Sequence, residues 1–332
     1  MTVPVIAFFN NKGGVGKTTL LYHVAWMMAN LGHRVVAADL DPQANLTSAF
    51  LDEDEIEALW SGGHRTVWGA IKPFHQGDGG LGSASLTPTS DERLVLLAGD
   101  LDLSTFEDDL SSSWPKCLDG DVRSFRIISA FSTILQDAAS QHEADYVLVD
   151  VGPSLGAINR AALVASDHVV IPVAPDLFSL QGLRNLGPTL RDWRKQWGRR
   201  LADRPSGLSG DLPRGEMDPL GYVVLQHKMR LNRPVMAYQK WMDRIPGEFR
   251  SSVLGEQGAA PDSANDPAAL GQMKNYQSLM PLAQEARKPI FELTTADGAL
   301  GGHLSAARDT YLHFAALTDR IVDGVRSSTS NV

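Results

Sequence analysis

The chain has 332 residues, 43% of them hydrophobic and 21% charged, with a formal net charge of −9, which suits one large α/β domain or two small ones and excludes a disordered or fibrous chain. Its single cysteine, Cys117, excludes an intramolecular disulfide and fits a reducing compartment, and no apolar run approaches the roughly eighteen residues of a membrane span. The acidic balance speaks against a protein that is basic all over, while leaving local patches open.

Val3 to Phe9 is apolar without alternation, the pattern of a buried parallel strand. It starts without a basic n-region or cleavage site, so no secretory signal is expected. The next stretch, Asn10-Asn11-Lys12-Gly13-Gly14-Val15-Gly16-Lys17-Thr18-Thr19, lies between this strand and an apolar-periodic run. That is the setting of a phosphate-binding loop, in which glycines let backbone N–H groups close on phosphate oxygens and a helix start adds positive potential. Lys17 would reach the terminal phosphates and the Thr18 hydroxyl would bind Mg²⁺. The general pattern G-x-x-x-x-G-K-[ST] asks for glycine at position 11, where Asn11 stands. The extra Lys12 reads, at its blandest, as a solvated lysine in a turn.

The run from Lys12 to Thr19 resembles the deviant Walker A motif of the ParA/MinD family of P-loop ATPases, in which the extra lysine is the signature residue. The resemblance implies ATP and Mg²⁺ as ligands, held by Gly13, Gly14, Val15, Gly16, Lys17, Thr18 and Thr19. It also implies that Lys12 is catalytic, reaching across a homodimer to the phosphates bound by the other subunit.

Leu20, Leu21, Val24, Ala25, Met28 and Leu31 recur at helical spacing, so the loop opens an amphipathic helix of about four turns that ends at Gly32. Arg34 to Leu40 reads as a second strand, and the βαβ order makes the sheet parallel. Asp39 and Asp41 close that strand two residues apart, on one face if the strand continues. Asp41 could simply cap a helix ahead of Pro42; alternatively the pair sits where ligands of open α/β sheets collect, at the carboxyl ends of strands. Asp39-Leu40-Asp41-Pro42-Gln43 also resembles the family's second motif, which implies that Asp41 orients the attacking water and Asp39 supports the Mg²⁺ shell.

From 51 to 93 no strong period survives; Asp52 to Glu57 reads as a solvated acidic face, and the region as one short helix plus surface loops. Leu94 to Ala98 is a third strand, and Ser111 to Asp121 a loop in which Cys117 is a bystander. Ile127, Ile128, Phe131, Ile134, Leu135 and Ala138 make one helix face. An apolar strand ending at Asp150 follows, the Walker B pattern whose carboxylate holds Mg²⁺. Val151 to Gly156 resembles the family's Asp-x-Pro-Pro-Ser-Leu-Gly, with Gly152 where the first proline is expected.

Asn159 to Ala165 is a helix and Asp167 to Val173 a buried strand; Ala174 to Leu183 resembles the family segment that opens a long helix along the dimer face. Arg184 to Arg204 holds seven basic residues against two acids, with Trp193 and Trp197 interleaved. The tryptophans fit core packing and the arginines an ordinary helix surface. The same cluster, with Arg191, Arg194, Lys195, Arg199 and Arg200, fits non-specific DNA binding through phosphate contacts. Pro205 to Pro219 reads as a linker, Leu220 to Gln226 as a late strand, and His227 to Arg233 as a loop bordering the base or a DNA surface. Val235 to Met242, Leu279 to Ala286, Pro289 to Leu293 and Leu304 to Val325 complete the fold, the last with Ala307, Tyr311, Phe314, Ala315, Leu317 and Ile321 inward; Gly255 to Asp266 reads as mobile.

The expected architecture is α/β, a single doubly wound and mostly parallel sheet with helices on both faces (a P-loop NTPase). It spans 1–326, with long surface loops near 60–90, 104–122, 205–219 and 255–275 and a polar tail at 327–332. By resemblance the chain is closest to ParA/Soj-type partition ATPases. It is expected to be a cytoplasmic, nucleoid-associated Mg²⁺-ATPase that dimerises around ATP, hydrolyses it slowly, contacts DNA and is stimulated by a partner protein, without a membrane contact. The alternatives are a regulatory ATPase of a defence or secretion complex that acts by protein binding, and a MinD-type membrane positioning ATPase. A metabolic ligase and an electron carrier fit least; relatives of the nitrogenase iron protein hold a cluster with two cysteines per subunit, which one Cys117 cannot supply.

Overall fold

The computed structural model describes the chain except residues 1, 63, 64, 207, 209, 210, 226–234, 259, 260, 262–264, 275, 277, 278 and 330–332. The expected base- or DNA-bordering loop at His227 to Arg233 therefore lies outside the described residues, as does the end of the polar tail.

The first βαβ unit is β1 (Val5–Phe8), α1 (Lys17–Asn30) and β2 (Val35–Asp39). It is followed by α2 (Asn45–Phe50), α3 (Glu53–Ser61), α4 (Val67–Gln76), β3 (Leu86–Pro88) and β4 (Leu94–Leu97). A 3₁₀ turn at Leu101–Phe106 leads into α5 (Glu107–Lys116), α6 (Val122–Ile128), α7 (Ala130–His142) and β5 (Tyr146–Asp150). Next come α8 (Ala157–Val164), β6 (His168–Val173), α9 (Leu177–Ala202) and β7 (Asp218–Leu225). The chain closes with α10 (Val235–Met242), α11 (Ile245–Glu248), a π-helical turn at Phe249–Leu254, β8 (Ala269–Met273), α12 (Met280–Ala286) and α13 (Gly302–Thr329).

Among the described residues eight strands form one sheet in the order β3-β4-β2-β5-β1-β6-β7-β8, parallel throughout except for β3. Strand alternation sends Val5, Ala7, Val36, Val147 and Val169 into one core, covered by α4 to α9, and Ile6, Phe8, Val35, Leu148 and Val170 into the other, covered by α1, α2 and α13. This is the expected doubly wound sheet. β1 lies between β5 and β6, where the winding reverses, and in such sheets ligands collect beyond the carboxyl ends of the strands at that point. Among the described residues no helix is long and apolar enough to cross a membrane.

Several expectations need correction. The stretch near 104–122 is largely helical rather than looped, and that near 60–90 contains α4: Val67, Trp68, Ile71 and Phe74 of α4 and Leu110 and Trp114 of α5 are core residues. Thr66 starts α4 by accepting the Gly69 N–H, which explains why a segment containing Gly69 and Pro73 still begins as a helix. The acidic run is exposed, and the short helix expected in this region is α3, with an Asp52/Glu55 capping box. Leu94–Leu97 is the fourth strand, because the short antiparallel β3 precedes it, and β8 lies inside the expected 255–275 loop. The helix face from Ile127 to Ala138 is split at Ser129 into α6 and α7. α1 is not amphipathic: Leu20 through Ala29 are all buried between the sheet, α2 and α13. Tyr311 is 37% exposed and meets the Phe291 ring edge-on instead of entering the core.

The two sheet edges are closed differently. β3 is three residues long and ends at Pro88. At β8, Arg320 of α13 donates to the Ala269 carbonyl at 2.9 Å.

Candidate functional site

The loop between β1 and α1 turns through Gly14 (φ 71°) and Gly16 (φ 87°), left-handed conformations that glycine adopts without strain. Asn10 braces the loop: its Nδ2 donates to the Pro172 carbonyl and its Oδ1 accepts the Lys12 N–H at 2.9 Å. Behind Gly16, Lys17 is buried and places Nζ 2.6 Å from Asp150 Oδ1. Thr18 Oγ1 donates to Asp150 Oδ2 at 2.7 Å. Three expected site residues thus meet at one point. Burial pushes the Asp150 carboxyl above its usual range, and the Lys17 ammonium and Thr18 hydroxyl oppose that push.

Lys12 is placed apart. Its Nζ pairs with Asp176 Oδ2 at 2.6 Å and stands 5.8 Å from the centre of the Phe178 ring. Asp176 also caps α9 through the Ser179 N–H at 2.8 Å. Burial works against its charge, yet the Lys12 and Ser179 contacts hold its carboxyl below the usual range.

β2 ends at Asp39, so Asp41 does not continue the strand face that the two-residue spacing suggested. Nor does Asp41 cap α2, whose N-cap is Ala44; its Oδ1 accepts the Gln43 N–H at 3.0 Å. Asp39 is fully buried. Its Oδ2 accepts the Thr47 N–H and hydroxyl, each at 2.8 Å, and its Oδ1 the Asp41 N–H at 3.2 Å. Burial, with the nearby Asp150 charge, pushes its carboxyl up to about 7. Asp39 thus holds the turn that carries Asp41. Thr18 and Asp150 bring a hydroxyl and a carboxylate together, donor chemistry that suits a hard cation such as Mg²⁺. Among the described residues no group of three or more His, Cys, Asp or Glu is placed to hold a metal by itself.

A cavity of about 540 Å³ opens over the loop, lined by residues 12–19, by Asp41 and by Asn45, Ser48 and Ala49 of α2. That volume suits a small-molecule ligand. Its far wall is Met280, Ala283 and Gln284 of α12, with Lys288. His23 ties this wall to α1: its Nε2 accepts the Ile290 N–H at 3.2 Å, which leaves Nδ1 to donate to the Thr19 carbonyl at 2.8 Å. The ring is 1% exposed and stacks on Phe314, and burial lowers its pKa to about 4. Sequence reasoning gave no site role to Asn10, His23, Asp176 or the segment that forms α12. The Asp176-x-x-Ser179 spacing is a cap signal that points to the third of these; the others depend on contacts distant in sequence.

The basic cluster is divided: Arg184, Arg191, Lys195, Arg199 and Arg204 are exposed, Arg194 is half-buried and Arg200 is buried. Arg191 donates to the Ser252 and Val253 carbonyls, Arg194 to those of Glu216 and Met217, and Arg200 to those of Trp114 and Gln196. Arg200 is 4% exposed, so the expectation that it meets DNA is corrected. Lys195 and Arg199 are exposed, whereas Trp193 and Trp197 pack in the core. Cys117 is buried with its thiol pushed up to about 12, an inert bystander as expected.

A family model described as an AAA domain matches residues 3–202. The chain is 30% identical over 254 residues to the chromosome partitioning protein ParA of Myxococcus xanthus, covering 75% of this chain and 73% of that one. It is 31% identical over 188 residues to the sporulation initiation inhibitor protein Soj of Bacillus subtilis, covering 56% and 64%. Among solved structures, protein DIP2308 of Corynebacterium diphtheriae superposes with a TM-score of 0.68 at 26% identity, over 86% of this chain and 97% of that one. The chain spans 42–64% of the length of the first curated relatives it matches.

Proposed function

Because the chain belongs to the AAA-domain family of ParA/MinD-type P-loop ATPases, we propose that it is a nucleotide-switched Mg²⁺-ATPase. It binds Mg-ATP in the cavity over β1, pairs with a second copy across the nucleotide and hydrolyses ATP slowly. The two states serve DNA partition or the positioning of cargo on nucleoid DNA in the cytoplasm, with a partner protein stimulating turnover.

The observation that carries this reading is the separation of the two lysines. Lys17 is buried against Asp150 beside Thr18, whereas the Lys12 side chain is 28% exposed at the cavity mouth on Asp176. This separation supports a reading in which Lys17 serves its own site and Lys12 a neighbour's. Phosphoryl transfer asks the protein mainly for positioning and charge stabilisation. Mg²⁺, when bound, neutralises charge on the phosphate oxygens, and Thr18 and Asp150 would hold it. Lys17 would exchange Asp150 for phosphate oxygens, Asp41 would orient the attacking water, and Lys12 of the second copy would stabilise charge on the leaving group. Lys12→Ala should therefore abolish ATP-dependent dimerisation, followed by light scattering, together with hydrolysis. Unchanged turnover refutes the role in trans.

One observation favours a second reading, a ParA-like regulatory ATPase of a defence or secretion complex that acts by binding protein. Arg194 and Arg200 use their guanidinium groups on backbone carbonyls away from solvent, and Arg191, although exposed, commits its guanidinium likewise, so the outward charge of the expected DNA-binding set is reduced. Duplex DNA binding with ATP at two salt concentrations separates the two. Binding that weakens steeply with salt supports partition, and absent or salt-insensitive binding supports the second reading.

A further inference from the structure

The turn after Asp150 is held from two sides by residues outside every motif. A Cβ added at Gly152 would lie 3.3 Å from Asp41 Oδ1 and 3.5 Å from Asn159 Nδ2. The Asp41 carboxylate thus rests against this turn, and the position of one constrains the other. Asn159, in the first turn of α8, is 2% exposed and donates its amide to the Gly152 carbonyl at 2.8 Å and the Ser154 carbonyl at 2.7 Å. From the other side Glu107, the first residue of α5, accepts the Ala157 N–H at 2.6 Å and the Ile158 N–H at 2.8 Å, one on each carboxylate oxygen. Those N–H groups open α8 and have no partner within the helix, so a carboxylate there is favourable both as an acceptor and toward the helix dipole. Gly156 makes room for it, since a Cβ there would stand 2.8 Å from Glu107 Oε1.

Glycine at 152 gives the turn backbone freedom that most other residues would restrict. The two clamps impose from outside an order that the turn does not carry in its own sequence. They do so at the point where Asp41 leans on it.

We propose that Asn159 and Glu107 are positioning residues for ATP hydrolysis: they fix the Gly152–Gly156 turn so that Asp41 keeps one orientation toward the attacking water. The inference rests on the role proposed above for Asp41, and both residues act through it without touching the nucleotide.

The test compares Asn159→Ala, Glu107→Ala and Glu107→Gln with wild type, measuring turnover per bound nucleotide, with bound ATP counted by titration of a fluorescent analogue. Asn159→Ala and Glu107→Ala should lose about tenfold or more in kcat, the scale of a small displacement near the reacting atoms. KM for ATP should stay within about twofold, because ground-state binding is untouched. Glu107→Gln keeps one carbonyl acceptor for the two N–H groups and should fall between wild type and Glu107→Ala. A purely structural role would lower the fraction of protein that binds ATP and leave turnover per bound nucleotide unchanged; that result overturns the proposal. If Asn159→Ala does not fold, the Glu107 pair decides on the same criterion. Asp41→Ala serves as the control. Full turnover there removes the role of Asp41 and the inference with it, whereas lost turnover there with normal kcat in the other variants overturns the positioning role alone.

Discussion

His23 gives the sharpest quantitative prediction, because its environment allows only the neutral ring. Nε2 accepts from the Ile290 N–H, and a proton on that nitrogen would set two donors against each other in a site that is 1% exposed. The pKa falls from the ordinary 6.5 to about 4. Below pH 6.5 the unfolded chain takes up this proton while the folded chain refuses it until about pH 4, so stability is lost as pH falls through that window. The shift amounts to about 3 kcal/mol at 1.36 kcal/mol per pH unit. Asp39 has the opposite sign: its carboxyl, pushed up to about 7, is protonated in the folded state before the unfolded one, so stability is gained as pH falls from about 7 toward 4. The two effects offset each other in wild type, and His23→Gln separates them. Urea denaturation without nucleotide, at several pH values from 7.5 to 4.5, should show the wild-type advantage over His23→Gln shrinking by about 2 to 3 kcal/mol as pH falls. Parallel stability curves for the two proteins would refute the neutral, doubly bonded ring.

Two further outcomes follow from close contacts. A Cβ at residue 99 would lie 2.9 Å from Asp39 Cγ and 3.1 Å from its Oδ2, so Gly99→Ala should cost about 1–3 kcal/mol of stability as the packed Asp39–Thr47 cluster gives way; an unchanged melting temperature contradicts this. Asp176→Asn keeps an acceptor for the Ser179 N–H while removing the charge that holds Lys12. With Lys12 acting in trans, ATP-driven dimers should form at up to about 25-fold lower protein concentration, the worth of about 1 kcal/mol for each of the two partly exposed ion pairs released per dimer, and dimerisation that is unchanged or weaker counts against the latch.

The phosphate loop, the strand ending at Asp150 and the parallel sheet were legible because each rests on local rules: glycine at left-handed positions, apolar runs of strand length, and βαβ order. α4 and α5 were not. Gly69, Pro73 and Pro115 read as breakers, and what makes these segments helical is the packing of Trp68, Phe74 and Trp114 into a core supplied by distant strands. Asp39 and Arg200 show a second limit. A carboxylate next to a functional one, or an arginine in a basic run, looks outward in sequence, yet Thr47 and the Trp114 carbonyl claim them in space. Glu107 and Asn159 gave no signal, because the partners of Glu107 lie 50 and 51 residues away and Asn159 reads as an ordinary helix residue.

The manner in which the sheet ends limits how copies of the chain can associate. An open sheet of eight strands exposes two rows of backbone donors and acceptors that could extend strand by strand into a fibre. Here one border is a three-residue strand with Pro88, which has no N–H to offer, and at the other Arg320 occupies the Ala269 carbonyl. Growth by strand addition is therefore discouraged at both borders. Under the proposed ATP-dependent pairing, self-association would use surfaces other than these borders, and the assembly would be reversible with nucleotide state.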